Sequence, residues 1–299
     1  MSLPALSIFP KMEKEDFRVL QGIELGMRRF DTVPIEQIRF FARMPLSAVQ
    51  YRLDRVHKFG LVIRDVGRVT SYVMNSEAYD LLAIHTLVEQ GHLAQFGQKI
   101  GVGKESDVYQ ALDANDKEVA VKFHRLGRTS FRNIRKLRGY LGGRGHYSWL
   151  YASRLSAESE FAGLQRVAGL TPHTPKPFAQ NRHAVVMEVI LGQGISEFAD
   201  IADPVGTFSQ IIEDVKIFYQ KGGLIHGDLG EYNILLDADE NILIIDFPQW
   251  VPADHPNAEE YLRRDVANVC NFFHRRYRVE SDLDAIVTEI MKNEEIEEK

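Results

Sequence analysis

The run from Leu224 to Leu236, read Leu-Ile-His-Gly-Asp-Leu-Gly-Glu-Tyr-Asn-Ile-Leu-Leu, constrains this chain more than any other. Within it Asp228 and Asn233 stand five positions apart between apolar flanks, and Asp246 ends a second β-like run. Phosphoryl transfer needs such a set. One carboxylate orients or deprotonates the acceptor, and hard oxygen ligands hold the magnesium that screens the phosphates. Asp228 suits the first role, Asn233 and Asp246 the second. The spacing predicts a chain that binds ATP and moves its γ-phosphoryl group.

Composition permits this and narrows it. At 299 residues and 44% apolar content, the chain has room for two domains or three small lobes. One cysteine, Cys270, excludes an internal disulfide and fits a reducing cytosol; it stands in an apolar, helix-like run rather than a reactive setting. No stretch approaches the ~18 apolar residues of a membrane span, and the N-terminus lacks the basic-then-apolar order of a secretory leader. A cytoplasmic location without membrane contact is expected. The net charge of −6 speaks against a general nucleic-acid coat, but that charge is unevenly spread.

Residues 1–91 read as a small winged-helix domain with a linker helix. Phe17, Leu20, Ile23 and Met27 form one helical stripe. Pro34 and Pro45 each open a further helix from its first turn, and Gly60 stops the third. Two β-rich runs, Leu61 to Val66 and Val69 to Met74, then complete the winged-helix order. Arg52, Arg55 and Lys58 on the outer face of the third helix, with Arg64 and Arg68 on the hairpin, suit a nucleic-acid surface. A solvated face that braces a neighbour is the alternative, because Asp54 and Asp65 dilute the patch.

Residues 92–190 read as a nucleotide-holding lobe. Gly101 and Gly103 allow backbone to approach phosphates, with Val102, Lys104 and Glu105 in the same turn and Ser106 where a third glycine often stands. Downstream, Val119-Ala-Val-Lys122 supplies a lysine for the α- and β-phosphates, and Glu160 is the expected carboxylate that orients Lys122. From Val119 to Ala157 there are nine cations and no acid. Part of that span, about 127–146, is expected to be a flexible insertion. Its Arg132, Arg135, Lys136 and Arg138, interleaved with aromatics, suit RNA; a loop that folds over the ATP phosphates is the competing reading. The apolar run Ala184 to Ile190 leads to a hinge, where Glu188 and Ile190 after Met187 offer a carbonyl and an amide to adenine. Residues 191–299 form the second lobe, with helices expected over 207–222 and 257–292.

Taken together, these residues resemble the RIO family of atypical protein kinases, in the subfamily with an N-terminal winged helix. The resemblance rests on the Gly101 to Tyr109 string, on His226-Gly-Asp228 in place of His-Arg-Asp, and on Asp246-Phe-Pro248 in place of Asp-Phe-Gly. No Ala-Pro-Glu motif follows, and only 53 residues remain after Asp246. The resemblance implies an α+β fold, a winged helix joined to a compact bilobal kinase-like domain lacking the activation segment. It implies a monomeric serine kinase or ATPase that uses ATP with Mg2+ or Mn2+, transfer through a phosphorylated Asp246 being one route. Lys122, Asp228 and Asp246 would be catalytic, with Val108, Ala120, Leu235 and Ile245 completing the nucleotide contacts. Its implied partners are the small ribosomal subunit precursor and ribosomal RNA. Two rivals share part of the pattern: a small-molecule phosphotransferase, for which the interval from Leu191 to Leu224 is short, and a winged-helix nucleic-acid switch with an ATP-sensing kinase fold.

Overall fold

Proline and capping side chains set where the first helices begin. In the computed structural model, which describes residues 3–126, 145–198 and 200–292, α1 (Pro4–Ile8) leads into α2 (Lys14–Gly26). Glu13 and Asp16 start α2 as a reciprocal capping box, Asp16 accepting from the Glu13 amide at 2.9 Å. Pro34 and Pro45 precede α3 (Ile35–Ala42) and α4 (Leu46–Lys58). Both lie one position earlier than the sequence suggests, as extended caps, where a missing N–H costs no helical bond. Phe17, Leu20, Ile23, Ile38, Val49, Leu53 and Val56 are buried, so the three helices share one apolar core.

The wing is an antiparallel hairpin of β2 (Val62–Val66) and β3 (Thr70–Met74). A short strand that the pattern did not disclose, β1 (Val33–Pro34), adds to β3. After it comes α5 (Ser76–Glu89), capped by the Asn75 side chain on the Ala78 amide at 3.1 Å. Five strands follow in the sheet order β4-β5-β6-β8-β7: β4 (Gln95–Val102), β5 (Ser106–Leu112), β6 (Glu118–His124), β7 (Pro177–Asn181) and β8 (Ala184–Met187). The helix α6 (Gly145–Val167) lies between β6 and β7 in sequence. Arg132, Arg135, Lys136 and Arg138 fall outside the described residues.

The chain divides into two compact units, Met1–Ala157 with Ala179–Val186, and Glu158–Phe178 with Met187–Lys299. The expected boundary at residue 91 lies within the first of these units, which holds the winged helix and the strands β4 to β6 together. Its physical reason is α5, which buries Ala78, Leu81, Leu82, Ile84, Leu87 and the charged Asp80. The Glu24–Arg182 ion pair (2.7 Å) is a second tie between the winged helix and the β7–β8 turn.

In the second unit, β9 (Gln193–Gly194), β11 (Ile234–Leu236) and β12 (Ile242–Ile244) form one small sheet, and β10 (Leu224–Ile225) pairs with β13 (Val251–Pro252). Helix α7 (Pro204–Gln220) starts earlier than expected, because Asp203 caps it through the Gly206 amide at 2.9 Å. The expected 257–292 helix is two, α8 (Ala258–Tyr277) and α9 (Leu283–Met291), parted where Arg278 turns left-handed at φ 60°. Phe218 packs edge-on against Phe247 at 5.7 Å, and Phe208 against Phe273 at 5.5 Å. Cys270 is buried there, and burial pushes its thiol up, away from thiolate chemistry. Among the described residues no helix is long and apolar enough to cross a membrane.

Candidate active site

The β11–β12 hairpin delivers the metal-ligand candidates. Its turn is held by Asp237, which accepts from the Asp239 and Asn241 amides at 2.9 Å each; hydrogen bonds from Asn241 hold its carboxyl below the ordinary value. Antiparallel pairing of Ile234 with Ile244 brings the start of β11 and the end of β12 to one edge. The Ile245 amide accordingly donates to the Asn233 carbonyl at 3.0 Å, with Asp246 next in line. Asp246 adopts φ 71°, a left-handed conformation that aspartate tolerates better than most residues and that often marks functional sites. Among the described residues no group of three or more His, Cys, Asp or Glu gathers for a metal. One carboxylate with one amide instead suits magnesium, which keeps water and phosphate oxygens as its other ligands.

The catalytic loop is fixed by contacts to its backbone. Asn233 Nδ2 donates to the Asp228 carbonyl at 2.7 Å, and Gln249 Nε2 to Asp228 Oδ2 at 3.3 Å, while Asp228 itself is exposed. Buried Asp265 on α8 accepts from the Gly227 amide at 2.7 Å and the Leu229 amide at 3.1 Å. Arg264 donates to the Gly227 carbonyl, and Asn268 to the Leu229 carbonyl at 2.8 Å. Burial pushes the Asp265 carboxyl up, opposed by His226 and the two amides. His226 is buried with Nε2 against the Ile245 carbonyl at 3.0 Å and its ring on Phe247. Gly227 has φ 81°, and a Cβ there would lie 2.3 Å from the Gln249 carbonyl oxygen. That is why this loop carries glycine where His-Arg-Asp has arginine.

Sequence reasoning missed Asp265, Arg264 and Gln249. One signal was present: Asp265 lies on the helical stripe of Leu262, Val266 and Val269, and a carboxylate on an apolar stripe must find donors. Leu235 and Ile245 are half-buried beside Asn233 and Asp246. Met187 is buried at the end of β8; the Glu188 amide donates to the Lys176 carbonyl at 2.8 Å, and the Glu188 carboxylate accepts from the Lys176 amide at 3.3 Å. Glu160 on α6 is buried, whereas Glu158 is only half-buried.

In the first unit the phosphate-holding candidates gather on β4, β5 and β6. Gly101 belongs to β4; Gly103, Lys104 and Glu105 form the exposed turn, closed by the Gly103 amide on the Ser106 carbonyl at 2.9 Å. Val102 ends β4. Val108 on β5 stands opposite Lys122 on β6, which is buried two positions after Ala120. A buried lysine requires a counter-charge or hydrogen bonds, as does a buried glutamate.

The winged helix departs from expectation at two residues. Arg52 pairs with Glu13 (2.7 Å), Glu15 (3.5 Å) and Asp16 (3.2 Å), and Arg55 with Glu13 and Asp16 (3.0 Å each). Both arginines are thus drawn onto α2, whose acidic first turn neutralises them, and they do not form part of an open basic face. Lys58, Arg64 and Arg68 stay exposed.

Comparison with known proteins agrees with this architecture. A RIO domain model matches residues 107–286 and a Rio2 N-terminal model matches residues 9–90. The RIO-type serine/threonine-protein kinase Rio2 of Methanocaldococcus jannaschii is 43% identical over 265 residues, covering 87% of this chain and 96% of that protein. The serine/threonine-protein kinase rio2 of Dictyostelium discoideum is 38% identical over 266 residues, 89% of this chain and 51% of that longer protein. A crystal structure of the Rio2 kinase of Chaetomium thermophilum, as an ADP/Mg2+-phosphoaspartate complex, superposes with a TM-score of 0.82 at 33% identity, covering 96% of this chain and 89% of that one.

Proposed function

The chain belongs to the RIO family of serine/threonine protein kinases, with the Rio2 N-terminal domain, and from that premise we propose that it turns over ATP through a phosphorylated aspartate, Asp246. The observation that carries this is the paired placement of Asp228 and Asp246. Asp228 is exposed on a loop whose backbone is clamped by Asp265 and Asn233, and Asp246 follows β12 in a left-handed conformation.

In this reading the glycine turn and Lys122 hold the phosphates, and the Glu188 carbonyl and Ile190 amide take adenine. Asn233 and Asp246 hold Mg2+, or Mn2+ in its place, which neutralises charge on the phosphates when bound. An Asp246 oxygen attacks the γ-phosphorus; the new P–O bond forms as the β–γ bridge breaks, and ADP leaves with the electron pair. Asp228 then orients a water, or a serine hydroxyl, and takes its proton as the acyl phosphate is cleaved. The Chaetomium thermophilum kinase was crystallised with a phosphoaspartate, which supports this route.

Two features favour it over peptide phosphorylation alone. Only residues 247–257 lie between Asp246 and α8, so no activation segment is available to seat a peptide. Between Leu191 and Gly223 the described residues hold the two-residue strand β9, one 3-10 turn (Ile195–Glu197) and α7, little from which to build a small-molecule pocket. A cytoplasmic role in small ribosomal subunit maturation, with ribosomal RNA met by the exposed Lys58, Arg64 and Arg68 and by the basic segment, completes the proposal.

Single-turnover incubation with γ-labelled ATP and magnesium tests it. The expected product is a hydroxylamine-sensitive, base-labile phosphate on Asp246, absent from Asp246→Ala. Hydroxylamine-stable label mapping to Ser130 or Ser148 overturns the aspartyl route in favour of a serine autokinase.

A further inference from the structure

Asp80, on the helix that ends the winged-helix half, is tied by an unbroken chain of polar contacts to the glycine turn. Arg125, directly after β6, donates to both of its carboxylate oxygens, Nη1 at 2.5 Å and Nη2 at 2.8 Å. His183 Nε2 completes that carboxylate at 2.7 Å. The Nε of Arg125 reaches Asp107 Oδ2 at 3.4 Å, and Lys99 takes the other Asp107 oxygen at 2.6 Å. The backbone of Arg125 makes a further tie: its amide donates to the Glu105 carbonyl at 2.6 Å. One residue therefore grips the glycine turn at Glu105, the first strand position beyond Ser106 at Asp107, and α5 at Asp80.

The side chains of Asp80, Arg125 and Asp107 are at most 10% exposed. Their charges alternate with that of Lys99, so the row is self-neutralising. Such a network gains little net stability over apolar packing of the same volume, because desolvation offsets the attraction. What it supplies is direction, since a bidentate guanidinium fork admits one orientation. The direction fixed here is that of the glycine turn, which Arg125 holds at the Glu105 carbonyl.

We propose that Asp80 and Arg125 are positioning residues for the phosphate-holding turn, so that α5 of the winged-helix half is part of the nucleotide machinery. This rests on the ATP reading above. Disturbing Asp80 frees the Arg125 guanidinium, the backbone amide of Arg125 that holds the Glu105 carbonyl is less firmly placed, and the cost falls on the phosphates of the nucleotide rather than on its base.

The test uses the full chain and calorimetric binding of magnesium-ATP and of adenosine, with steady-state ATP turnover alongside. For Asp80→Asn, ATP affinity is expected to fall about tenfold while adenosine affinity holds within about twofold, and KM for ATP to rise more than kcat falls. Glu24→Gln is the control, because it cuts the other tie between the winged helix and the sheet without touching the turn; it is expected to leave ATP affinity unchanged. Equal losses in the two variants, or equal losses for ATP and adenosine, reduce the network to a structural brace and overturn the proposal. So does unchanged ATP affinity in Asp80→Asn. Should Asp80→Asn fail to fold, Arg125→Lys, which keeps the charge and loses the fork, is read by the same criteria. Absence of ATP binding by the unaltered chain would instead remove the ATP reading itself.

Discussion

Replacing Gly227 by alanine probes the catalytic loop where its geometry is tightest. The added Cβ would start 2.3 Å from the Gln249 carbonyl oxygen, on a residue at φ 81°. Holding alanine in the left-handed region costs about 1 kcal/mol. Relieving the contact means separating the two chain segments by roughly 1 Å, to van der Waals distance. Overpacking of that kind costs about 1–3 kcal/mol, for a total of about 2–4 kcal/mol. The displacement acts on the residue whose amide Asp265 holds at 2.7 Å, one position before Asp228, so the carboxylate proposed to orient the acceptor moves as well. A shift of about 1 Å in a reacting group lowers turnover by ~10²-fold. Gly60→Ala isolates the conformational share: φ there is 73°, and nothing lies within 4 Å of the new Cβ. Its expected cost is about 1 kcal/mol with turnover unchanged. Denaturant unfolding with ATP turnover on both variants gives the comparison. Equal destabilisation in the two, or wild-type turnover in Gly227→Ala, would refute the steric account.

Lys122→Ala is expected to lower ATP turnover at least ~10²-fold, since an electrostatic clamp on the phosphates is lost; unchanged turnover with the fold intact would remove Lys122 from the site. RNA affinity is expected to fall ~10²-fold or more between about 50 and 200 mM salt. Neutralising Lys58, Arg64 and Arg68 should flatten that slope, whereas Arg52→Gln should leave the slope alone and lower stability instead. On acidification, stability is expected to fall in two stages. Burial holds the His183 imidazole below its ordinary value of 6.5, so its contribution is present above that pH and lost below it, as the unfolded chain takes up a proton the folded one refuses. Burial pushes the Asp80 carboxyl up, but Arg125 and His183 outweigh it and leave the group below its ordinary 3.8, so its contribution is lost only under that pH. Unfolding free energy against pH for the wild type and His183→Gln checks the first stage; parallel curves between about pH 7 and 5 would refute it.

The parts of this molecule that could be read from sequence are those whose signal is local. Prolines at 34 and 45 and the stripe through Phe17, Leu20 and Ile23 mark the winged helix within a few residues each. Asp228, Asn233 and Asp246 could be picked out because short apolar runs bracket them, and β11 and β12 are those runs. Long-range pairing was not readable. A helical wheel puts Arg52 and Arg55 on a face but cannot say that the acidic first turn of α2 lies across from it. Nothing near residue 91 discloses that Asp80 meets Arg125, 45 positions on, and His183, 103 positions on. Asp265 escaped for the same reason, acting 38 positions from Gly227.

The glycine at 227 and the missing activation segment have one physical cause. After Asp246 the chain turns back so soon that Val251 already pairs with Ile225, and Gln249 is carried against the catalytic loop. A side chain at 227 has no room there, so an arginine cannot serve as the link between loop and segment. Backbone contacts replace that link. Asp265 and Arg264 from α8 hold the amide and carbonyl of Gly227, and Asn233 holds the carbonyl of Asp228. Every partner in that set is already in place in the chain itself, and none is a residue that waits for phosphorylation. On the proposed function, control of such a loop would enter elsewhere, through what reaches Asp246 or through the turn proposed to hold the phosphates.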